Sequence, residues 1–163
     1  MSNTSRARHL DNLGDFARGA RRFDDVIDDF VRIYSDNVNS NQRWKWRDIP
    51  GSEHLSEAQL NQIRELARSN GYIPTIPTKP SGHPDFSEVV QRVDNLPEDM
   101  WRLSDRAQFD WLDSRLPDGV RPEGLTWHHS EIPGRMELVP FGIHNATGHT
   151  GGRAPGNWAN APR

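Results

Sequence analysis

One segment near the C-terminal end, LTWHHSEIPGRMELVPFGIHNATGH, restricts the fold more than any other part of the chain. LTWHH is typical of a short strand, IPGR of a turn, and RMELVP of a second strand whose side chains alternate outward and inward. The next stretch, FGIHNATGH, has room for about a turn and a half of helix. The pattern therefore predicts a strand, a turn, a second strand and a short helix, in that order.

The same segment holds four of the chain's seven histidines, His128, His129, His144 and His149. Neighbouring residues of a strand point to opposite sides, so His128 and His129 should not perform the same task. One of them can face a metal while the other faces substrate. His144 is expected at the start of the helix. The five-residue step to His149, with Gly148 inside it, indicates that the helix ends and the loop turns His149 back.

Clustered imidazoles of this kind suit a catalytic metal centre. Three of them make a good site for zinc, nickel, cobalt or manganese and leave a position for water or a phosphate oxygen. A neutral fourth histidine can act as a general base near neutral pH, and the combination is sufficient to hydrolyse a phosphodiester. A closed, inert structural metal site is the alternative. The remaining histidines, His9, His54 and His83, are isolated, and such residues usually carry no chemistry.

Composition limits the function classes. The chain has 163 residues, enough for one domain or for a small domain with a helical extension. Its net charge of −3 counts against a nucleic-acid binder unless basic residues gather locally. The absence of cysteine excludes disulfides and thiolate metal sites. No apolar run is long enough for a membrane anchor, and no secretory signal peptide is recognised at the N-terminus.

Apolar residues recur at three- and four-residue steps elsewhere in the chain, which predicts helices. Ser56 and Gln59 form a capping-box pattern at the start of one helix, and Gly71 lies where a glycine would end it. The expected helices cover roughly residues 7–34, 56–70, 87–93 and 104–115.

Two stretches lack such a period. RWKWR, residues 43–47, predicts either base stacking beside phosphate contacts or a short amphipathic strand that buries Trp44 and Trp46. The strand is the favoured interpretation. YIPTIPTKPSGHPDF has four prolines between Pro74 and Pro84 and is expected to be extended or looped.

The histidine segment resembles the HNH/endonuclease VII nuclease superfamily, and more closely its WHH subgroup, found as C-terminal toxin domains of bacterial polymorphic toxins. The likeness is carried by TWHH, RMELVP, the IH pair and GHTGG. Upstream, GHPDFS is similar to a Gly–aromatic–Pro-Asp-Phe element of the family, with His83 in the aromatic place. PEGLTWHH is similar to the family's entry strand, with Leu125 where tyrosine is common. The likeness spans Ser81 to Gly152, under half of the chain.

The resemblance implies roles for individual residues. By position, His129 would be the general base and His128 its neighbour in the catalytic pair. His128, His144 and His149 would bind one divalent ion, whether Zn, Ni, Mn or Mg. Trp127 would point into the core behind the site.

Two further expectations concern the surroundings of these histidines. The superfamily often has an asparagine in the second strand, where Met136 or Glu137 stands here. Arg121, Arg135 and Arg153 flank the histidines and are candidates for binding phosphate.

These observations predict an α+β fold, mostly helical, with a ββα-metal (His-Me finger) hairpin and helix near the C-terminus. Residues 1–75 are expected to form a helical N-terminal region of unknown role. Residues 76–163 are expected to form the HNH/WHH-like nuclease domain.

The function implied by the resemblance is a metal-dependent endonuclease toxin that hydrolyses DNA. It would be secreted or delivered, act in the cytoplasm of the target cell, and be neutralised by a cognate immunity protein. An RNase on the same hairpin is one alternative, because nothing in the sequence reads the 2′-hydroxyl. A non-catalytic, metal-stapled interaction module is another. A protein that only binds partners, as an immunity or adaptor protein does, leaves the histidine cluster unexplained.

Overall fold

A computed structural model describes residues 1–148 and 151–160 of the chain. It divides the chain into two compact units, Met1–Thr75 and Ile76–Arg163. Helices are combined with a small three-stranded sheet, which is consistent with an α+β fold. Within the described ranges, no helix has both the length and the apolar character needed to cross a membrane.

Two helices occupy the region predicted as one long helix. Helix α1 runs Asn3–Ala17 and helix α2 runs Phe23–Asn39, so the prediction of one helix over residues 7–34 is wrong. Gly19 lies between the two helices with a φ of +80°, which ends the helical backbone. Glycine adopts this conformation without the strain that other residues would have. Both helices contribute fully buried side chains to the core, including Leu13 and Phe30. The spacing of apolar residues in the sequence therefore continues across the break between the helices.

Helix α3, Glu57–Ser69, begins where its sequence predicts. The Ser56 hydroxyl accepts a hydrogen bond from the Gln59 backbone N–H, and the Gln59 side chain accepts one from the Ser56 N–H. Gly71 follows the helix with a φ of +72°. The capping box and the glycine are local signals, and both predictions are confirmed.

RWKWR does not form the favoured strand. Residues Trp46–Asp48 make one short 3-10 turn instead. The two tryptophans are partly buried rather than buried as expected. Trp46 stacks on Tyr34 with ring centroids 5.2 Å apart, and Trp44 meets both rings edge-on. The Arg64 guanidinium lies 5.5 Å from the Trp46 ring centre. The two tryptophans of RWKWR therefore pack with Tyr34 in an aromatic cluster within the first unit.

The second unit is built on an antiparallel sheet with strand order β1-β3-β2. The predicted strands are present as β2, Leu125–His129, and β3, Arg135–Pro140. Strand β1, Arg92–Asn95, lies where a short helix was expected, so that prediction is wrong. Pairing with β3 decides the conformation of β1, and hydrogen bonding between distant residues produces no periodic pattern in the sequence around Arg92.

Helices flank this sheet. Helix α4, Asp105–Ser114, has Ser104 as its N-cap and confirms the predicted helix. Helix α5, Phe141–Ala146, follows β3 without a gap. The buried apolar cluster on the α4 side contains residues from the sheet, from α4, from the loops after β1 and α4, and from residues 151–160, here called the C-terminal segment. Its members are Leu96, Leu112, Leu116, Trp127, Met136, Leu138, Trp158 and Ala159. Trp127 thus lies in the core.

Candidate active site at strand β2

The register of the sheet separates the two adjacent histidines. His129 is paired with Met136 of β3, and His128 is paired with Glu137. Directly paired residues share a face of an antiparallel sheet. Met136 belongs to the core cluster, so His129 faces α4 and the core, whereas His128 and Glu137 face the other side. The sequence-based expectation that the two imidazoles point in opposite directions agrees with this register.

On one side of β2, His128 meets His144 of α5. The His128 Nδ1 and the His144 Nε2 are 3.2 Å apart. The Phe86 ring covers both imidazoles, with centroids 4.8 Å from His128 and 5.9 Å from His144. His144 is the fourth residue of α5 rather than its first, because the helix begins directly after Pro140. Strand β2 and helix α5 therefore bring together two histidines that are 16 residues apart in the chain.

The spacing of these nitrogens fits a pair of metal ligands. Two nitrogens that bind one tetrahedral zinc ion at about 2.0–2.1 Å are about 3.3 Å apart. The Glu137 Oε1 lies 3.9 Å from the His128 Nε2, which is the ring nitrogen not near His144. Among residues 1–148 and 151–160, no group of three His, Cys, Asp or Glu side chains converges closely enough to hold a metal. His149, the predicted third ligand, lies outside the described residues.

On the other side of β2, His129 is packed into the core. Its Nε2 lies 2.7 Å from the Oε1 of Gln108, a residue of α4. The rings of Phe109 and Trp158 lie on it with centroids 5.9 Å away in each case. About a tenth of the His129 side chain is exposed. The predicted base is therefore held tightly by α4 and the C-terminal segment.

The C-terminal segment closes on β2 through two glycines. The Gly152 N–H donates to the His129 carbonyl at 3.1 Å, and the Trp158 Nε1 donates to the Ser130 carbonyl at 2.8 Å. A Cβ on Gly151 would come within 2.3 Å of the His129 carbonyl oxygen. The pair of glycines in GHTGG is thus needed for this close approach of two backbones.

The three flanking arginines have different surroundings. The Arg121 Nε is 3.7 Å from Asp113, and Arg135 donates two hydrogen bonds of 3.2 Å to Glu137. Both side chains are about one-third exposed, at 29% and 37%. Arg153 is only 4% exposed in its side chain. A phosphate contact by Arg153 would require its buried hydrogen bonds to open, whereas Arg121 and Arg135 already reach solvent.

An ion pair ties the proline-rich segment to the turn after β2. The Lys79 Nζ donates to the Glu131 Oε1 at 2.9 Å. Burial raises the pKa of Glu131, but the hydrogen bond from Lys79, a backbone N–H and the nearby positive charge together hold this pKa below its ordinary value. The carboxylate is therefore ionised at neutral pH and anchors the turn.

The other three histidines lie apart in the chain. The His9 Nδ1 and the Asp29 Oδ1 are 2.7 Å apart, which makes a buried pair between α1 and α2. His54 is exposed in the first unit, and the His83 ring is 3.2 Å from the Ser81 hydroxyl.

Gln108 and Phe86 are the site residues that the sequence did not single out. Phe86 was noted only within GHPDFS. Gln108 lies four residues before the buried Leu112 on the same face of α4, so a polar residue at an apolar helix position was the available signal. Its partner is 21 residues away in the chain, and no local pattern indicates that contact.

The comparison with protein families gives one match. Residues 117–159 match the family model described as "WHH: A nuclease of the HNH/ENDO VII superfamily with conserved WHH". The match confirms the resemblance inferred from the histidine segment and indicates a nuclease, an enzyme that hydrolyses phosphodiester bonds. It covers β2, β3, α5 and the C-terminal segment up to Ala159. No curated protein and no solved structure matches the chain significantly.

Proposed function

Because residues 117–159 are matched to a nuclease family, we propose that the chain is a metal-dependent endonuclease that hydrolyses DNA. The observation that carries this proposal is the 3.2 Å approach of His128 to His144, on the face of β2 opposite to His129. With this separation, one group of imidazoles can hold an ion while another imidazole handles a proton. In this proposal β2, β3 and α5 form the ββα-metal unit.

In the proposed mechanism, His128 and His144 would hold one divalent ion, and His149, which lies outside the described residues, would be the third ligand. When bound, the ion would neutralise the negative charge that develops on the phosphate during hydrolysis. An all-imidazole set favours a transition metal such as Zn, Ni or Mn over Mg for tight binding. Glu137 lies 3.9 Å from the other ring nitrogen of His128 and can orient that ring, as carboxylates beside metal-binding histidines do.

His129 is the proposed general base. A neutral imidazole accepts the proton of the attacking water and thereby raises its nucleophilicity, a contribution of about 10²–10⁴-fold in rate. Arg121 and Arg135 are the proposed phosphate contacts, because both guanidinium groups are partly exposed. Their charges would also attract the DNA backbone to this part of an otherwise acidic chain.

The biological part of the proposal rests on the resemblance to toxin domains. The nuclease would act as an antibacterial effector, delivered into the cytoplasm of the target cell. A cognate immunity protein would cover the site, and charge complementarity with the exposed arginines would speed its association.

The biochemical proposal is tested by incubating the full chain with plasmid and with total RNA. Separate reactions contain Zn²⁺, Ni²⁺, Mn²⁺, Mg²⁺ or EDTA, and His129→Ala serves as the control for a contaminating nuclease. We expect plasmid cleavage that requires a divalent ion and is lost in the variant. Cleavage of RNA alone would establish the RNase alternative. Stabilisation by metal without cleavage of either substrate would establish the non-catalytic module.

The toxin role needs a separate experiment. Inducible expression in the bacterial cytoplasm should arrest growth and degrade the chromosome, and His129→Ala expressed at the same level should do neither. Normal growth with an active nuclease present would contradict the toxin role while leaving the biochemical activity intact.

A further inference from the structure

The amide of Gln108 is buried and hydrogen-bonded at both ends. The side chain is fully buried in α4. Its Nε2 lies 2.9 Å from the carbonyl oxygens of both Met100 and Trp101. Its Oε1 lies 2.7 Å from the His129 Nε2 and 2.8 Å from an Nη2 of Arg153. A buried amide costs free energy unless its donors and acceptors are satisfied, and here each polar atom has two partners.

These contacts determine which way the amide points. A carbonyl oxygen can only accept a hydrogen bond, so the atom that faces Met100 and Trp101 must be the donating NH₂ group. A guanidinium can only donate, so the atom that faces Arg153 must be the accepting oxygen. The two ends give the same orientation independently. The usual ambiguity of glutamine side chains is therefore removed at this position.

The orientation of the amide determines the tautomer of His129. Because the Gln108 Oε1 can only accept, the His129 Nε2 must carry the proton and donate it. In a neutral imidazole one nitrogen is a donor and the other an acceptor. The accepting lone pair of neutral His129 is therefore on Nδ1. The bond that one ring nitrogen makes sets the role of the other.

Arg153 donates a second hydrogen bond to the Gln108 Oε1. It bridges α4 and the C-terminal segment, since it donates to Asp105 at 2.9 Å and to the carbonyls of Leu103 and Ala159 at 2.9 Å each. The Asp105 carboxylate offsets its positive charge. The network thus connects the start of α4, the end of β2 and the C-terminal segment around a single acceptor.

We propose that Gln108 is a positioning residue that holds His129 in the Nε2–H tautomer, so that Nδ1 receives the proton of the attacking water. The inference rests on the proposed nuclease function. Phe109 and Trp158 pack on the ring and oppose its rotation, so the tautomer and the direction of Nδ1 are set together.

The tautomer can be measured without any assay of activity. Long-range ¹H–¹⁵N spectra of the full chain distinguish a protonated Nε2 from a protonated Nδ1, and His129→Ala identifies the signals of His129. We expect neutral wild-type His129 to carry its proton on Nε2. A proton on Nδ1 would overturn the proposal even if the protein cleaves DNA.

The kinetic arm uses Gln108→Met, which keeps an unbranched side chain of similar length but removes the amide. We expect kcat for plasmid cleavage to fall about 10- to 100-fold with KM little changed, because a misoriented base affects the reaction and not DNA binding. The ¹⁵N signals of His129 should shift in the same variant. Wild-type kcat in folded Gln108→Met would overturn the proposal.

A matched control separates positioning from a general loss of packing. Leu112→Val removes buried volume from the same helix, in the core cluster, without touching the His129 bond. It should lower stability while leaving kcat and the His129 signals near wild type. An equal fall of kcat in Leu112→Val would show that packing alone matters and would overturn the proposal.

If Gln108→Met does not fold, Gln108→Glu provides the second variant. One of its carboxyl oxygens keeps the acceptor for His129 and Arg153, and the other, when protonated, can donate to a Met100 or Trp101 carbonyl in place of the amide NH₂. This variant should keep the Nε2–H tautomer and more activity than His129→Ala, and a change to the Nδ1–H tautomer would overturn the proposal. Absence of cleavage in wild type with every ion and both substrates would refute the proposed function instead. The catalytic part of the present proposal would then fall with it, while the tautomer would still be readable in the spectra.

Discussion

His128 and His129 are neighbours in the chain, yet they lie in different surroundings. His128 faces a second imidazole and a carboxylate, with a phenylalanine ring over the pair. His129 faces a glutamine amide, two aromatic rings of the core and the Asp105 carboxylate, whose Oδ1 lies 3.9 Å from the His129 Nε2. In the first environment two ring nitrogens lie 3.2 Å apart, a separation that two ligands of one metal ion can have. The second holds a single ring nitrogen and restrains the ring, which suits a proton acceptor.

This difference shows how one short strand can separate two chemical tasks. The two-residue alternation of a strand is sufficient to place adjacent side chains on opposite faces. Each face then acquires its partners from other elements, β3 and α5 on one side and α4 on the other. The proposed function assigns metal binding to one face and proton transfer to the other. It predicts that separate substitutions can disrupt metal binding and proton transfer independently.

The largest effect is expected for His129→Ala. Cleavage should fall about 10²–10⁴-fold, because a general base contributes that much to the rate. Metal affinity measured by calorimetry should stay near wild type, since the His128–His144 pair lies on the other face. His54→Ala, which removes an exposed histidine of the first unit, is the control and should cleave normally. Near-native cleavage by His129→Ala would remove His129 from the role of base.

His144→Ala should have the opposite signature. It removes one of the two converging nitrogens, so metal affinity and cleavage should fall together. Metal at about 100 times its Kd stabilises a protein by about 2.7 kcal/mol, and the variant should lose most of that stabilisation in thermal melts. Wild-type stoichiometry and affinity in His144→Ala would contradict the ligand assignment.

A smaller effect is expected where the C-terminal segment meets both histidines. Gly151→Ala places a Cβ 2.3 Å from the His129 carbonyl oxygen and 3.4 Å from the His128 Cε1. The backbones must move apart, at a cost of about 1–3 kcal/mol in the free energy of unfolding. Gly148→Ala has open space around the added methyl group and is the matched control. Equal melting temperatures for the two variants would show that the close approach contributes nothing.

The smallest effect concerns the ion pair at the β2–β3 turn. The pKa of Glu131 is lower in the folded protein than its ordinary value, so its stabilisation is present above the unfolded pKa and is lost as pH falls through the folded one. Glu131→Gln should therefore cost about 0.2–1 kcal/mol at pH about 7 and nothing in acid well below pH about 4.

Urea unfolding at the two pH values measures this difference, and the exposed Glu88→Gln is the control. A cost that is the same at both pH values would indicate that the glutamate acts through packing rather than through its charge. Cleavage should be unchanged in Glu131→Gln if this ion pair serves only to anchor the turn.

Local signals in the sequence were sufficient for much of the fold around the site. The turn at IPGR and the cap at Ser104 act through neighbouring residues, and the strands and the helix beside them are present. The predicted outward and inward alternation of RMELVP is wrong, because β3 is the central strand and its residues 136–139 are buried on both faces. The opposite orientation of His128 and His129 follows from strand geometry alone. The family resemblance followed from the same residues, and the match over residues 117–159 confirms it.

The tertiary structure decided the features that depend on residues far apart in the chain. Strand β1 exists because β3 offers it hydrogen bonds, which a helix-like pattern near residue 90 did not reveal. Gln108 meets His129 because α4 packs on one face of the sheet. Arg153 is buried because Asp105, Leu103 and Ala159 surround its guanidinium.

Sequence by itself therefore determined which chemical groups are present and that His128 and His129 lie on opposite sides of β2, because both follow from residue type and a two-residue period. Only the tertiary structure decided which partners those groups have. The tautomer of His129, the burial of Arg153 and the approach of His128 to His144 depend on how separate elements pack. Packing arises from contacts between residues that no local pattern connects.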